Sequence, residues 1–493
     1  MPSSIAVIGS GFGGLATAIR LQSRGYRVHL FEARDKLGGR AYVYQQDGFR
    51  FDAGPTVITA PFLIDEIFAQ CGRRTQDYVD IVPVDPFYRI EFHNGRFFEY
   101  NGDQAETERR VQAFSPSDLD GYRAMMRHAH AIFQKGFLEL ADRPFLKFSD
   151  MLRVAPDLIR LQNYRTVFGF VSKYIKDPLL RRVFSFHPLL VGGNPFQTTS
   201  IYALIHSLER QWGVHYVMGG TGALVEAFGR LFRELGGEVC LNTPVKRILT
   251  QDRAAIGIET ARGDQFLCDA VVSNADVANT YRKLIPERDR PKYTNIRLAK
   301  MHYSMSLFVI YFGTAKQYPN LRHHTIILTE RYKELLNDIF NTKRLPQDFS
   351  LYLHRPTATD ASMAPPGCDC FYALIPVPNQ KSGIDWTQEA KPFRDRVMQF
   401  LETNYLPGLQ ASLLTERLFT PLDFETQLDS FQGAGFSFEP IFRQSAWFRP
   451  HNESEDIRNL FFAGAGTHPG AGVPGVLSSA KIAEKLICQR LSS

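Results

Sequence analysis

The sequence predicts an α/β fold in which a parallel-sheet unit, assembled from three separated stretches of chain, is interleaved with an α+β unit. Three observations support this prediction. A strand, a glycine-rich turn, a helix and a second strand follow one another in residues 5–31. Another strand, glycine-rich loop and helix occupy residues 460–486, and two long inserts separate these blocks. Strands that alternate with helices are typical of a parallel sheet covered by helices.

The N-terminal block has the spacing of a dinucleotide-binding turn. An apolar strand, residues 5–8, leads into the turn GSGFGG, residues 9–14, and a helix follows. Gly9 permits the tight turn, Gly11 lets the backbone approach a pyrophosphate, and Gly14 lets the helix pack closely on the strand. The helix N-terminus then faces the phosphates. This pattern predicts a Rossmann-like unit.

The residues after the second strand select the cofactor. Glu32 lies 23 positions after Gly9 and closes a strand over residues 26–31. A carboxylate there accepts a hydrogen bond from an adenosine ribose hydroxyl, which argues against a ribose 2′-phosphate. Gly38-Gly39-Arg40 follows; nicotinamide enzymes do not need it, whereas the diphosphate and ribityl chain of a flavin dinucleotide require further close backbone approach. We therefore expect non-covalently bound FAD.

The FAD-binding unit is predicted to be discontinuous, comprising residues 1–110, 215–296 and 441–493. In its middle part a helix over residues 223–235 and a strand over 238–241 suit a βαβ unit, and a strand over 269–273 is expected to re-enter the sheet. In its last part the strand 460–463 and the loop 464–475 precede a helix over 476–486, whose N-terminus is expected to face the cofactor.

Two inserts are expected to build the substrate side. Residues 111–214 are predicted to be mostly helical and to include a membrane-facing region. Residues 297–440 are predicted to form a mixed substrate-binding domain, with strands over 304–312, 350–354 and 370–376 and a helix over 391–405.

Composition narrows the protein class. The chain has 493 residues and is 44% apolar, as expected for a globular protein with a large core. We expect neither a membrane-spanning helix nor a secretory signal, because no run of 18 apolar residues and no basic N-terminal region is present. The six cysteines are scattered, which favours reduced cytosolic thiols, and Cys368 and Cys370 are interpreted as structural. The histidines, including the pair His323-His324, show no ligand spacing, so no metal site is expected.

The positive charge is concentrated in one segment. The chain carries a net charge of +6, and residues 143–182 hold nine basic and three acidic residues, which accounts for the whole excess. These charges alternate with apolar and aromatic residues. The segment is either a solvated basic face over a core or a surface that settles into an anionic bilayer interface without crossing it. Nucleic acid is not expected as a partner, because no known binding motif accompanies the charge.

Four motifs, in order along the whole chain, resemble the bacterial and fungal type of phytoene desaturase, the FAD-dependent carotenoid desaturases. They are the N-terminal turn with its glycine doublet, FDAGPT at residues 51–56, NAD at residues 274–276 and GAGTHPGAGVPG at residues 464–475. The last is the most specific of the four.

The resemblance implies a set of FAD contacts. Glycines and Arg40 would line the ADP half, the main chain at Val245 would lie near the adenine, and the C-terminal loop would pass the flavin ring. Many flavoproteins of the wider superfamily place an acidic residue where this chain has Ala465, so ribityl binding must come from elsewhere. The implied contacts are Gly9, Gly11, Phe12, Gly13, Gly14, Glu32, Ala33, Gly38, Gly39, Arg40, Gly54, Pro55, Thr56, Val245, Asn274, Gly464, Ala465, Gly466, Gly475 and Val476.

The resemblance also implies a reaction. Two hydrogens would leave a saturated carbon pair of a C40 polyene, a hydride going to flavin N5 and a proton leaving the neighbouring carbon. The expected substrates are phytoene and partly desaturated carotenoids, converted in successive steps toward neurosporene or lycopene, with quinone or oxygen as electron acceptor. A pocket that stabilises a transient allylic cation with aromatic faces suits the chain's 39 Phe and 20 Tyr.

Substrate delivery points to a membrane. At about 0.8 kcal/mol per buried CH₂, moving a C40 hydrocarbon from lipid through water costs on the order of 30 kcal/mol. We therefore expect a peripheral protein on the cytoplasmic side of the cell membrane, with residues 143–182 forming the mouth of a tunnel and docking on anionic lipid.

Three residues are candidates for proton handling. Asp150 and Arg153 are three positions apart beside an apolar stretch, where a carboxyl pKa can be tuned; the alternative is a surface ion pair at helical spacing. His468 lies in the C-terminal loop and is either a base or hydrogen-bond donor to the flavin, or a residue that stabilises the turn beside Pro469.

Other functions stay open at this point. The same scaffold supports a later-step carotenoid desaturase, an isomerase or an oxygenase. A flavin amine oxidase shares the N-terminal turn and Gly-Gly-Arg but would need a polar amine pocket. A non-enzymatic lipid or prenyl-protein carrier would lose the flavin-contacting glycines, which this chain keeps.

Overall fold

The fold is centred on a five-stranded parallel sheet that draws on three distant parts of the chain. The computed structural model describes residues 2–492. Every neighbouring pair in this sheet is parallel. The α/β class and the interleaved plan predicted from the sequence are therefore confirmed. From edge to edge the strands are β19 (Leu460–Phe462), β13 (Ala270–Ser273), β1 (Ser4–Ile8), β2 (Arg27–Phe31) and β9 (Glu238–Cys240).

Helices and a small sheet cover the two faces of the parallel sheet. On one face lie α1 (Phe12–Ser23), α9 (Thr221–Glu234) and α16 (Val473–Leu491), whose apolar side chains share a core with β1 and β13. The other face shares a core with an antiparallel sheet, and burial on both faces explains the continuous apolar runs of the central strands. That sheet comprises β10 (Val245–Gln251), β11 (Ala254–Thr260) and β12 (Gln265–Leu267).

The expected βαβ unit around α9 forms only in part. The strand after α9, β9, joins the parallel sheet beside β2. The strand before α9, β8 (His215–Val217), instead pairs antiparallel with β5 (Ile81–Pro83). Its backbone hydrogen bonds are thus made outside the parallel sheet.

A seven-stranded mixed sheet forms the second unit. One face packs on α13 (Trp386–Asn404) and the other faces the helical insert. Two of its strands, β6 (Tyr88–Phe92) and β7 (Phe97–Tyr100), precede residue 111 and so fall in the stretch predicted above to belong to the FAD-binding unit. β6 pairs in parallel with β15 (His324–Leu328), and β7 pairs antiparallel with β6. The pairing makes the sheet continuous across the two units. In order, the strands are β18 (Leu413–Phe419), β14 (Ser306–Thr314), β17 (Asp369–Val377), β16 (Leu351–His354), β15 (His324–Leu328), β6 (Tyr88–Phe92) and β7 (Phe97–Tyr100).

The remaining elements are mostly helical, and those between residues 104 and 212 form the helical insert. A hairpin, β3 (Val43–Gln46) and β4 (Phe49–Asp52), follows the N-terminal block. The other helices are α2 (Phe62–Gln70), α3 (Gln104–Phe114), α4 (Leu119–Phe133), α5 (Phe148–Arg160), α6 (Val167–Tyr174), α7 (Pro178–Val183), α8 (Leu204–Trp212), α10 (Val277–Leu284), α11 (Asn295–Lys300), α12 (Tyr332–Asn337), α14 (Leu409–Ser412) and α15 (Pro421–Thr426).

Two helices begin earlier than the sequence predicts. α13 starts at Trp386, because the Asp385 carboxylate accepts a hydrogen bond of 2.9 Å from the Thr387 amide and caps the first turn. α16 starts at Val473 with Pro474 in its first turn, where the missing proline N–H leaves no helical hydrogen bond unmade.

Candidate functional site

One continuous cavity of about 810 Å³ connects the parallel sheet with the seven-stranded sheet. Glycine-rich loops line one end, and apolar side chains of the helical insert and the second sheet line the other. Every FAD contact expected from the sequence lies in its wall except Gly14. The topology therefore brings together residues from three distant parts of the chain.

Gly14 does not line the cavity but packs against the backbone of the first glycine turn. A Cβ atom at this position would lie 2.1 Å from the Gly9 carbonyl oxygen, a backbone atom that cannot move aside. Gly9 itself has φ of +89°, which favours glycine. The two glycines together allow α1 to begin directly against the turn, as the sequence spacing indicates.

The Glu32 carboxylate is fixed at the end of β2. It accepts hydrogen bonds from the Ser10 amide at 3.0 Å, the Ser10 hydroxyl at 2.5 Å and the Arg34 amide at 3.0 Å. The Ser10 hydroxyl in turn accepts from the Gly38 amide at 3.1 Å. These bonds tie the first glycine turn, the acidic residue and the second glycine doublet into one rigid group.

Asn274 joins the loops of β1, β13 and β19. Its amide Nδ2 donates a hydrogen bond of 2.7 Å to the Ala463 carbonyl. A Cβ atom on Gly11 would lie 2.7 Å from Asn274 Oδ1, and one on Gly13 or Gly464 would lie 2.7 or 2.6 Å from Asn274 Nδ2. The sequence predicts that these glycines allow close approach of the cofactor; the structure shows that they also make room for Asn274.

Buried polar atoms without protein partners lie in the same part of the cavity wall. Arg40 donates from Nη2 to the Ser430 hydroxyl at 2.9 Å, while its Nε has no partner. Asp276 Oδ2 and Arg34 Nη1 are likewise buried and unpartnered. Burial lowers the pKa of Arg40 and raises the pKa of Asp276. Buried polar groups are normally satisfied, so this set fits a bound group rich in hydrogen-bonding atoms, as FAD is.

The C-terminal loop brings a second helix N-terminus to the cavity. Gly475 and Val476 lie in the first turns of α16, and a Cβ atom on Gly475 would lie 2.6 Å from the Gly470 carbonyl oxygen. The Gly464 amide donates to the Ser479 hydroxyl at 2.8 Å, which fixes the loop on the helix. The positive end of the helix dipole therefore faces the site.

His468 lies in the cavity wall but is restrained by protein contacts. Its Nε2 lies 3.4 Å from the Leu140 carbonyl, and its ring packs edge-on against Phe145 with the centroids 5.0 Å apart. Burial lowers the pKa of His468 to about 4, so the ring is neutral near pH 7. The contacts favour the interpretation of His468 as a residue that stabilises the loop.

Asp150 and Arg153 do not line the cavity. Asp150 is in the first turn of α5, where its carboxylate accepts a hydrogen bond of 3.0 Å from the Lys147 amide. Arg153 Nη1 lies 3.7 Å from Asp150 Oδ1, and its side chain is 78% exposed. The pair has the geometry of the surface ion pair that was the alternative interpretation.

The structure reveals a cavity carboxylate that sequence reasoning missed. Glu209 on α8 lines the apolar part of the cavity and is 1% exposed. It accepts a hydrogen bond of 2.6 Å from the Tyr88 hydroxyl, and His187 Nε2 lies 3.2 Å from its other oxygen. No motif surrounds Glu209, because its partners come from β6 and from a separate turn of the insert.

Helix α5 covers one end of the cavity. Met151, Val154 and Leu158 on its inner face line the cavity. Its outer face exposes Leu152 and Ile159, which are 59% and 66% exposed. Within residues 2–492, none of the helices combines the length and apolar content that a bilayer-spanning segment requires.

Comparison with known proteins places this geometry in a family. The flavin-containing amine oxidoreductase family matches residues 12–485. A lycopene-forming phytoene desaturase of Pantoea ananas is 51% identical over 98% of this chain and 99% of its own length. A neurosporene-forming phytoene desaturase of Rhodobacter capsulatus is 44% identical over 98% of this chain and 93% of its own length.

Solved structures show the same fold at low identity. A putrescine oxidase bound to putrescine superimposes with a TM-score of 0.65 at 14% identity, covering 100% of both chains. A protein described as a putative protoporphyrinogen oxidase from Exiguobacterium has a TM-score of 0.62 at 15% identity, covering 99% of both chains.

Proposed function

The chain belongs to the flavin-containing amine oxidoreductase family and, within it, to the phytoene desaturases; from this premise we propose that it desaturates phytoene in successive steps toward neurosporene or lycopene. The enzyme is an FAD-dependent oxidoreductase, and bound FAD supplies the hydride acceptor. The single observation that carries the proposal is the continuous cavity, which runs from a polar glycine-rich cradle into an apolar chamber.

The polar end would hold FAD through backbone groups. The amides of the first glycine turn would bind the diphosphate, and Glu32, already oriented by Ser10, would accept a hydrogen bond from the ribose. The main chain at Val245 would lie near the adenine. The N-terminus of α16 would favour negative charge on the flavin ring.

The apolar end would hold the polyene. Its wall includes Phe186, Tyr311 and Phe419 together with Leu189 and Ile326. Aromatic faces stabilise a transient allylic cation while the surrounding wall excludes water. The lining of this end is predominantly apolar and aromatic, which favours a polyene over an amine as substrate.

Glu209 would accept the proton that leaves the substrate. Of the other carboxylates in the cavity wall, Glu32 is held by Ser10 and Arg34 and Asp276 lies beside Arg40. Asp429 forms an ion pair with Lys283. Glu209 instead lies at the apolar end, next to cavity-lining Leu208 and Ile205. Its bonds to Tyr88 and His187 orient the carboxylate and would stabilise it between steps.

Substrate would enter from a bilayer beneath α5. The helix has an inner face in the cavity wall and an outer face with exposed apolar residues, flanked by Arg153 and Arg160, whose side chains are both 78% exposed. This arrangement suits a peripheral contact with anionic lipid. The six cysteines are free, which is consistent with a location on the cytoplasmic side. Quinone or oxygen would then reoxidise the flavin.

Incubation of the purified protein with FAD and phytoene-loaded liposomes tests the proposal. With oxygen or a quinone present, we expect absorption bands at progressively longer wavelengths as conjugation extends, and the final spectrum identifies the number of steps. An unchanged spectrum with every acceptor would contradict the proposal. Bleaching of the flavin by an amine instead would identify an amine oxidase.

A further inference from the structure

Three histidines that do not line the cavity meet inside the second sheet. His324 begins β15 and lies opposite His354, which ends β16, while His323 immediately precedes β15. One ring nitrogen of each lies within 4.8 Å of those of the other two. The three ring centroids are separated by 4.4, 4.9 and 5.5 Å.

The hydrogen bonding of the rings divides their nitrogens into two sets. Each Nδ1 has a partner: His323 contacts the Thr359 hydroxyl at 2.6 Å, and His324 and His354 both contact the Tyr352 hydroxyl, at 2.6 and 3.2 Å. Each Nε2 is buried without a partner, although the three residues are only 4%, 0% and 1% exposed. Orphaned buried polar atoms are rare, and three together require an explanation.

The surroundings keep the rings neutral. Burial lowers the pKa of His323 to about 3 and places the pKa of His324 and His354 well below the usual value, so all three present lone pairs at neutral pH. The positive charge of Arg355 also lowers the pKa of His323, but Arg355 is itself paired with Asp369 at 2.9 Å. Two further carboxylates bring negative charge to the cluster: Asp360 raises the pKa of His323, and Asp52 raises the pKa of Tyr352.

We propose that His323, His324 and His354 bind a divalent transition-metal ion through Nε2, with Zn²⁺ as the best match. Imidazole ligands whose second nitrogen is held by a hydrogen bond are the usual arrangement at zinc sites. A tetrahedral ion would hold the three nitrogens about 3.3 Å from one another, so the rings would move closer together on binding. Water would complete the coordination, since three protein ligands leave one position open.

A bound ion would connect the three histidines to the cavity wall. Tyr352, which holds two of the histidines, also lines the cavity and contacts Thr56 Oγ1 at 3.0 Å. The metal would therefore fix the junction of β15 and β16 behind the proposed flavin site. This proposal is independent of the proposed desaturation, because metal binding is measured without substrate.

Metal analysis of the untagged holoenzyme tests the inference. We expect about one equivalent of zinc per chain, and after chelation we expect Co²⁺ to bind with the visible absorption of a tetrahedral site. His324→Gln and His354→Gln should weaken Co²⁺ binding at least tenfold, and Tyr352→Phe about tenfold through the lost hydrogen bonds. His128→Gln is the matched control, because both ring nitrogens of His128 have partners, at 2.8 and 3.1 Å.

Flavin absorbance and circular dichroism establish that each variant is folded. A folded holoenzyme that contains no zinc and gives no tetrahedral Co²⁺ spectrum would overturn the inference. Equal Co²⁺ affinity in the native protein and in the folded His324→Gln variant would overturn it as well.

Discussion

The side-chain amide of Asn274 donates a 2.7 Å hydrogen bond to the carbonyl of Ala463, and it thereby locks the loop after β13 to the loop after β19. The backbone N–H of Asn274 also donates a hydrogen bond of 2.8 Å to the Ile8 carbonyl. A single residue thus aligns the ends of β1, β13 and β19. Because all three loops lie in the cavity wall, this alignment sets the width of the proposed FAD cradle.

Asn274→Ala is expected to weaken FAD binding about tenfold, the effect of losing roughly 1.4 kcal/mol of hydrogen bonding and loop alignment. Titration of the apoprotein with FAD, followed by flavin fluorescence, measures the change. Asn404→Ala, on the exposed end of α13, is the control and should bind FAD like the native protein. Equal FAD affinity in the two variants would contradict the role of Asn274.

Gly14→Ala is expected to abolish FAD retention during purification, because the new Cβ would lie 2.1 Å from a backbone oxygen. Gly11→Ala should reduce FAD retention less, because its new Cβ would lie 2.7 Å from Asn274 Oδ1, which is a side-chain atom. The ratio of flavin to protein absorbance reports both. Gly169→Ala, whose nearest neighbour would be 3.1 Å away, serves as control. A Gly14→Ala protein with full FAD content would disprove the packing argument.

Glu209→Gln is expected to lower turnover by about 10²–10⁴, the usual contribution of a general base, with FAD content unchanged. The variant keeps the side-chain volume, so the cavity stays filled. Product formation in phytoene-loaded liposomes is the measurement, and the exposed Glu425→Gln is the matched control. Turnover within twofold of the native enzyme would remove Glu209 from the mechanism.

Asp150→Asn is expected to leave turnover close to that of the native enzyme. Its carboxylate caps α5 and pairs with an exposed arginine, an interaction worth about 0–1 kcal/mol. The same liposome assay applies, with FAD content as the check on folding. A large loss of turnover at normal FAD content would restore Asp150 as a catalytic candidate.

Substitution on the outer face of α5 is expected to weaken membrane association. Leu152→Asp with Ile159→Asp removes exposed apolar surface, and Arg153→Glu with Arg160→Glu reverses charges worth about 1 kcal/mol each near anionic lipid. Flotation with liposomes of graded anionic content should show a tenfold or greater loss for each pair. Leu267→Asp, at a residue 66% exposed on the distant β12, is the control. Flotation that ignores both lipid charge and these substitutions would reject docking through α5.

The protonation of His468 predicts a pH dependence of stability. Burial lowers its folded pKa to about 4, whereas the unfolded value is about 6.5. Below pH 6.5 the unfolded chain therefore binds a proton that the native protein does not, and the free energy of unfolding falls until pH 4. When the pH falls from 7.5 to 5.0, the free energy of unfolding of His468→Gln should decrease by about 2 kcal/mol less than that of the native protein.

Denaturant titration at the two pH values measures this difference. His130→Gln is the control, because it removes a histidine that is exposed on α4. Equal losses in the native protein and in the His468→Gln variant would show that His468 titrates in the folded state much as it does in the unfolded chain.

The nucleotide-binding elements were predictable because their determinants are local. Gly9 and Gly14 restrict the backbone within one turn, and Glu32 follows at the distance set by one helix and one strand. The same reasoning failed for β8 and for β6, whose partners lie far along the chain. Strand pairing between distant segments depends on the packing of the whole molecule, which a local pattern does not contain.

The sequence by itself determined the α/β class, the glycine-rich cofactor motifs and the basic, aromatic segment that includes α5, since each depends on short-range sterics or composition. Only the tertiary structure decided which side chains face the cavity. It turned Asp150 to the surface, brought Glu209 against Tyr88 and His187, and assembled His323 and His324 with His354 on the neighbouring strand. The physical reason is that contacts between distant segments form only when the two sheets and the helical insert pack together.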